Sequence, residues 1–454
     1  MNFSSVKHIH FVGIGGIGMS GIAEILLTQG FHVTGSDLHE SETTDYLASR
    51  GAEIHIGHNA NNIEGAEVVV YSSAVDAETN PETVAARYRA VPVIRRAEML
   101  SEVSRLNYCL AIAGTHGKTT TTSMTGLVLM KAGLDPTVIV GGRLKGLGGS
   151  NARLGNGDWI VLEADEYDRS FLQLLPTVAV ITNVEADHLD IYSDLDDIKG
   201  AFVEFSNKVP FYGTTCLCLD DPGVRAIMPL IKKVIVTFGL SPQCDVRAVD
   251  CHYHERSSTF TLTHRGIELG TIELNVPGEH NIRNALAACA AGLVCGVSFD
   301  ALKGALAEFT GVYRRFEFKG ERDGVLVVDD YAHHPTEIRS TLSAARRGWD
   351  RRIIAVFQPH TYSRTRDFFH EFALSFDDAD ILVLTDVYPA REAPIEGING
   401  KMIADAAMSA GHRAVFYEPD KTRVAELVRS MTRPGDMVLT LGAGDVWKVA
   451  NQLV

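Results

Sequence analysis

Residues 108–133 read YCLAIAGTHGKTTTTSMTGLVLMKAG, and the reading of this stretch decides the fold. The near-continuous apolar run Tyr108–Ala113 is the pattern of a strand buried on both faces. Beyond Lys118, Met124, Leu127 and Val128 recur at helical spacing, and the pattern stops at Gly133. Strand, glycine turn and helix in that order form the setting of a phosphate-binding loop. The common loop is G-x-x-x-x-G-K-[ST]. Here Gly114-Thr115-His116-Gly117-Lys118-Thr119 is two residues shorter between its glycines. A shorter turn still aims backbone N–H groups at phosphate oxygens. Lys118 is expected to reach the β- and γ-phosphates and Thr119 to hold Mg²⁺. The alternative, a chance Gly-Lys-Thr triplet, is disfavoured by the flanking strand and helix.

A nucleotide site of this kind needs acidic groups for its metal. The segment DWIVLEADEYDRSFL (158–172) places Glu163 and Asp165 on one face at the end of an apolar strand. Next, TVAVITNVEADHLDIY (177–192) ends a second strand in Asn183, Glu185, Asp187 and His188. The acids alone could form a solvated loop, and His188 alone is as readily structural as a metal contact.

A second glycine loop lies upstream. In FVGIGGIGMSGIAEILLTQGFHVTGSD (11–37), Gly13, Gly15 and Gly18 fit G-x-G-x-x-G, and Asp37 closes the next strand. Gly16 and Met19 belong to the same turn. The residues point to a diphosphate at a helix N-terminus. They leave open a dinucleotide, another nucleotide diphosphate, or a structural turn.

Elsewhere short apolar runs alternate with helical patterns, which predicts an α/β protein with mainly parallel sheets. Fresh strands at His8, Tyr108 and Gly324–Arg352 divide the 454 residues into domains 1–106, 107–313 and 314–454. The net charge of −15 argues against broad nucleic-acid or membrane-surface binding. No apolar run approaches the length of a membrane span. Seven scattered cysteines read as reduced thiols of a cytoplasmic protein.

The motifs GIGGIGMSGIA, GTHGKTTTT, EADEYDRSFL, TNVEADHLD, GEHNIRNALAA, YRRFE, DDYAHHPTEI and FQPHTYSRT occur in this order across the chain. Together they resemble the Mur ligases of peptidoglycan synthesis, in which the short G-x-x-G-K-T loop is the normal form. The resemblance implies a Rossmann-like UDP-binding domain, a central P-loop-type ATPase domain and a C-terminal Rossmann-like domain that holds the amino acid. It implies ATP and Mg²⁺, and the branch that joins L-alanine to UDP-N-acetylmuramate in the cytoplasm, as a monomer or weak homodimer. The first loop then cradles the UDP diphosphate with Gly13, Gly15, Gly16, Gly18, Met19, Asp37, Ser72 and Ser73. Gly114, Thr115, His116, Gly117, Lys118, Thr119 and Thr120 wrap the ATP phosphates, with His280, Asn281, Asn284 and Arg315 around the nucleotide. Thr119 and Glu163 bind one Mg²⁺, and Glu163 with His188 a second. Tyr331, His333, His360 and Arg364 surround the amino acid, and Lys118, His188, Arg315, His333 and His360 carry the chemistry, with His333 or His360 taking the ammonium proton. Thr361 stands where relatives often carry a basic residue, which throws the amino-acid carboxylate onto Arg364. Lys199 lies too close to His188 to match the carbamoylated lysine of some relatives and reads as a surface residue. Two other readings remain: a recycling ligase that adds a whole tripeptide to the same sugar, and, in a different class, an NAD-dependent dehydrogenase or a nucleotide-binding regulator.

Overall fold

The computed structural model describes residues 6–105, 107–142, 151–390 and 392–454. The expected boundary at 106 falls on a residue outside them. The chain builds three sheets. The first contains β1 (His8–Val12), β2 (His32–Asp37), β3 (Glu53–Ile56), β4 (Val68–Tyr71) and β5 (Val93–Arg95). All five are parallel, in the order β3-β2-β1-β4-β5. The order reverses between β1 and β4, and ligands of open α/β sheets sit at the carboxyl ends of such strands. The first glycine loop leaves β1 at that point, and Ser72 follows β4.

The second sheet has ten strands: β6 (Tyr108–Ala113), β7 (Thr137–Ile139), β8 (Ala152–Arg153), β9 (Trp159–Glu163), β10 (Val178–Ile181), β11 (Thr214–Cys218), β12 (Val234–Gly239), β13 (Val246–His254), β14 (Ser257–His264) and β15 (Ile267–Leu274). Its order is β15-β14-β13-β12-β11-β10-β6-β9-β7-β8. β6 therefore lies between β9 and β10 and parallel to both, so the loops after these three strands converge at the carboxyl ends of the strands. Lys118, Glu163 and Asn183 come from those loops or strand ends.

The expectation of mainly parallel strands holds, and this sheet adds an antiparallel flank to its parallel centre. β13, β14 and β15 form an antiparallel meander. The sequence carries its signature. Buried and half-buried residues alternate along β14, as they do in a strand with one wet face. Arg265 and Gly266 turn the last hairpin with φ of 50° and 79°, the left-handed pair of a type I′ turn.

The third sheet, ordered β16-β17-β21-β18-β19-β20, comprises β16 (Glu317–Arg322), β17 (Val325–Asp330), β18 (Arg352–Phe357), β19 (Ile381–Leu384), β20 (Val415–Tyr417) and β21 (Asp436–Leu441). Only β16 runs antiparallel. Its apolar core contains residues from 316 onward alone. By contrast, one apolar cluster runs from Ile9 through Val103 to Ile231 and joins the first sheet to one face of the second. The first two units are thus welded by shared core. The third meets the second through polar and charged side chains, the kind of interface that opens and closes most readily. Among the described residues no helix is long and apolar enough to cross a membrane.

Candidate functional site

Two glycine loops organise two cavities. The first cavity, about 590 Å³, is lined by Gly13, Gly15, Gly16, Asp37 and Ser72, together with His58 and Asn80. Of the residues expected at the UDP diphosphate, Ser73 and Gly18 lie outside this lining. Met19 lies outside it too, 1% exposed with its side chain packed in the core. Asp37 accepts the Gly15 N–H at 2.9 Å and the Leu38 N–H at 2.8 Å. It fixes the shape of the turn as well as lining the pocket.

Two residues beside this cavity, Arg96 and Glu82, were not picked out from the sequence. A Cβ on Gly18 would stand 2.2 Å from Arg96 Nη1, so the guanidinium packs directly over the start of helix 17–28. Beneath the pocket, the fully buried Glu82 accepts Ser36 Oγ at 2.5 Å and Asn62 Nδ2 at 2.6 Å. It also faces His58 Nδ1 at 3.3 Å and His10 Nε2 at 3.6 Å. Although burial alone would raise it, these partners hold the Glu82 carboxyl down at about 2. Glu82 pairs with residues from distant strands, and no local pattern announces it.

At the second loop, Gly117 has φ of 81° and a Cβ there would meet Asn284 Oδ1 at 2.5 Å. Only glycine suits both the backbone and the space. Asn284 also accepts Thr121 Oγ1 at 3.2 Å and donates to Asn281 Oδ1 at 3.2 Å, so helix 279–294 braces helix 118–131. Lys118 Nζ donates to Gly114 O (2.8 Å), Thr115 O (3.2 Å) and Glu166 Oε2 (2.6 Å). Burial alone would push this lysine down. The carboxylates of Glu166, Asp165 and Glu163 outweigh it and hold the ammonium well above the usual lysine range. Thr119 Oγ1 donates to Glu163 Oε1 at 3.0 Å, and Gly141 N–H to Glu163 Oε2 at 2.7 Å. A hydroxyl beside a half-buried carboxylate is a donor set suited to a hard cation such as Mg²⁺.

Glu166 was missed by alternation, because β9 ends at Glu163 and the chain turns away before Tyr167. Burial pushes its carboxyl up to about 7, with the Lys118 charge opposing. His188 stands beside it, with Nε2 3.8 Å from Glu166 Oε1 and 3.7 Å from Asp187 Oδ2. Burial pushes His188 down and keeps a ring nitrogen free to bind metal. Glu163 and His188 do not gather into a three-ligand set. Among the described residues the only such group is His116, Glu185 and His334.

The second cavity, about 290 Å³, opens between the middle and third units. His116, Gly117, Thr120, His280, Asn281, Asn284 and Arg315 line it. Gly114, Thr115, Lys118 and Thr119 are not among the lining residues. Arg315 extends from the third unit with Nη1 3.5 Å from Glu337 Oε1. Arg314, beside it in sequence, faces inward instead and binds Asp329 and the carbonyls of Gly442 and Gly444. Glu337 sits where a capping-box glutamate would, three residues beyond the helix N-cap His334. It also faces His116 Nδ1 at 3.4 Å, while Glu185 Oε2 lies 3.4 Å from His116 Nε2. Burial alone would lower His116, yet these two carboxylates hold it up at about 9.

The four residues expected at the amino acid converge. Tyr331 meets His333 edge-on, His333 lies edge-on to His360, and His360 stacks on Tyr388. Arg364 donates to Asp187 Oδ1 at 2.8 Å across the domain boundary. His333 Nδ1 lies 3.0 Å from Tyr331 O and 3.2 Å from Glu337 Oε2. Burial, with His333 and Arg364 close by, pushes His360 down to about 3. Thr361 holds φ of 67° and ψ of 145°, a region that β-branched residues rarely enter. Lys199 pairs with Asp196 at 3.0 Å on helix 195–207, away from these groups.

Two glycine-loop cavities, one beside a lysine and carboxylates and facing a third α/β unit, define a class of enzyme. Family models match along the whole chain: "Mur ligase family, catalytic domain" over residues 8–108, "Mur ligase middle domain" over 112–292 and "Mur ligase, glutamate ligase domain" over 314–444. The chain belongs to the Mur ligase family. It is 55% identical to the UDP-N-acetylmuramate–L-alanine ligase of Salinibacter ruber, over 99% of this chain and 94% of that one. It is 52% identical to the enzyme of the same name from Geotalea daltonii, over 100% and 98%. In structure it is similar to the UDP-N-acetylmuramate–alanine ligase MurC of Thermotoga maritima, with TM-score 0.82, 32% identity and 98% of each chain covered. A murein peptide ligase from Psychrobacter arcticus follows at TM-score 0.70 and 25% identity, over 99% of each chain.

Proposed function

We propose that this chain is an ATP-dependent ligase that joins L-alanine to the lactyl carboxylate of UDP-N-acetylmuramate in the cytoplasm. One observation carries the reading: Lys118, Thr119 and Glu163 lie at a phosphate loop that Arg315, Glu337, His333 and Arg364 face from the third unit. A carboxylate and an amine do not condense in water without activation. ATP activates the carboxylate when one of its oxygens attacks the γ-phosphorus, releasing ADP and leaving an acyl phosphate. Catalysis of that transfer is positioning and charge neutralisation. Lys118 and Arg315 supply fixed cations for it, and backbone N–H groups of residues 114–120 orient the phosphates. Mg²⁺, held by Thr119 and Glu163, adds further neutralisation when bound.

The amine of L-alanine then attacks the acyl carbon, and inorganic phosphate leaves with the original carboxylate oxygen. Arg364 holds the amino-acid carboxylate, exchanging its contact with Asp187. His333 takes the ammonium proton. With Nδ1 turned toward Tyr331 O and Glu337, its Nε2 is the free acceptor. His360, pushed down to about 3, is a poor acceptor and instead forms the stacked wall with Tyr388. Closure of the third unit excludes the water that would hydrolyse the acyl phosphate.

The family relatives above 50% identity favour L-alanine over a tripeptide. A dehydrogenase would leave Lys118, Glu163 and the whole second loop without a role. Inorganic phosphate release from ATP, Mg²⁺ and UDP-N-acetylmuramate separates the readings. Release that requires L-alanine supports the proposal, and release with the tripeptide alone replaces it by the recycling reaction.

A further inference from the structure

Lys118 has three N–H donors, and all three are engaged by Gly114 O, Thr115 O and Glu166 Oε2. To meet a phosphate oxygen it must release one of them, and Glu166 is its only side-chain partner among these. The Glu166 carboxylate thus occupies the place of an anionic phosphate oxygen. It is 3% exposed, and its backbone carbonyl is anchored by Tyr192 OH at 2.7 Å. Once displaced, the side chain stays in the site and still needs a positive partner, because a buried unpaired carboxylate is costly.

The other oxygen shows where that partner lies. Among the described residues, Glu166 Oε1 is buried with no hydrogen-bond partner. It faces His188 Nε2 at 3.8 Å. A divalent cation bonded to each of two atoms at about 2.1 Å fits between atoms up to about 4.2 Å apart. We propose that Glu166 is a two-state ligand: it pairs with Lys118 when ATP is absent and, displaced by the γ-phosphate, joins His188 as a ligand of the second divalent cation. Resting on the proposed ATP-dependent reaction, this makes Glu166 the group through which nucleotide and cation binding are coupled.

Manganese binding, followed by its electron paramagnetic resonance signal, reads this without turnover. The wild-type enzyme is titrated with Mn²⁺ with and without a non-hydrolysable ATP analogue, alongside Glu166→Gln, Glu166→Ala and Glu163→Ala. Both Glu166 variants should weaken the nucleotide-dependent Mn²⁺ site by roughly tenfold or more, as substitutions at metal sites do. Glu166→Ala should also bind the analogue more tightly than wild type in the absence of any divalent ion, since Lys118 is then free. Glu166→Gln keeps a partner for Lys118 and the shape of the site, so it guards against misfolding in the alanine variant. Unchanged Mn²⁺ affinity and signal in both Glu166 variants, with Glu163→Ala still losing a site, would overturn the role of Glu166 alone. If Glu163→Ala also leaves Mn²⁺ binding unchanged, the metal-dependent ATP reading itself fails, and this inference with it.

Discussion

The two glycine loops of this molecule share a backbone plan and differ in everything that side chains add. Each leaves a strand that is paired in parallel on both sides, turns through glycines and enters a helix. At the first loop, none of the described residues lining the cavity is lysine or arginine; Arg96, a cation beside the turn, approaches from another helix. At the second, a lysine follows the last glycine and three carboxylates surround it. The third unit closes against the second loop with Arg315, Glu337 and His334. The backbone motif alone therefore defines a place for phosphates, whereas the surrounding charges decide whether phosphate is held or transferred.

Loss of Lys118 should break the comparison most sharply. Lys118→Ala is expected to lower kcat by roughly 10³-fold, the scale of removing a preorganised charge from a transition state. UDP-N-acetylmuramate affinity, measured by calorimetry, should stay within about twofold, because Lys118 serves the other loop; equal loss of both would merge the two cavities. Next in size, Arg364→Ala should raise the KM for L-alanine by roughly 10- to 100-fold, the value of a charged hydrogen bond. The KM for ATP should hardly move, and steady-state kinetics with each substrate varied would show an equal effect if Arg364 served the nucleotide.

Closure of the third unit on the second loop carries a pH signature. His116 is held up at about 9 by Glu185 and Glu337, against 6.5 when free. Its pairing therefore stabilises the closed form fully below about pH 6.5 and is lost as pH rises through about 9. The difference in thermal stability between wild type and His116→Asn, on the order of 1–3 kcal/mol at pH 6, should shrink across that window. A difference independent of pH would remove the ion pair from the account. The smallest effect belongs to the first loop. Arg96→Ala should weaken UDP-N-acetylmuramate by only a few-fold, the value of a partly exposed charge near phosphate, with ATP affinity unaltered in the same calorimetric series.

What the sequence disclosed followed the same division. Gly114 to Thr119, Glu163 and the first loop are contiguous with strand ends, so local pattern sufficed to find them. The grouping of Tyr331, His333, His360 and Arg364 came from resemblance, because these residues meet only through β17, β18 and the loops beyond them. Glu166 lies past the strand end, where alternation no longer assigns a face. Glu82, Arg96 and the contact between Asp187 and Arg364 depend on packing between distant segments. The antiparallel meander was legible in the alternation along β14 and in the Arg265–Gly266 turn, but the parallel pattern of the neighbouring strands overshadowed it. At Thr361, a strained backbone conformation leaves no trace in residue type, since a glycine would have been the expected choice.

The central claim is that the second loop activates the carboxylate that the first loop holds in place. UDP-N-acetylmuramate with both lactyl carboxylate oxygens labelled with ¹⁸O tests it directly. Turnover with ATP, Mg²⁺ and L-alanine should move one labelled oxygen into inorganic phosphate and leave the other in the new amide. Phosphate released without label would mean that the carboxylate was never phosphorylated, and would contradict the account.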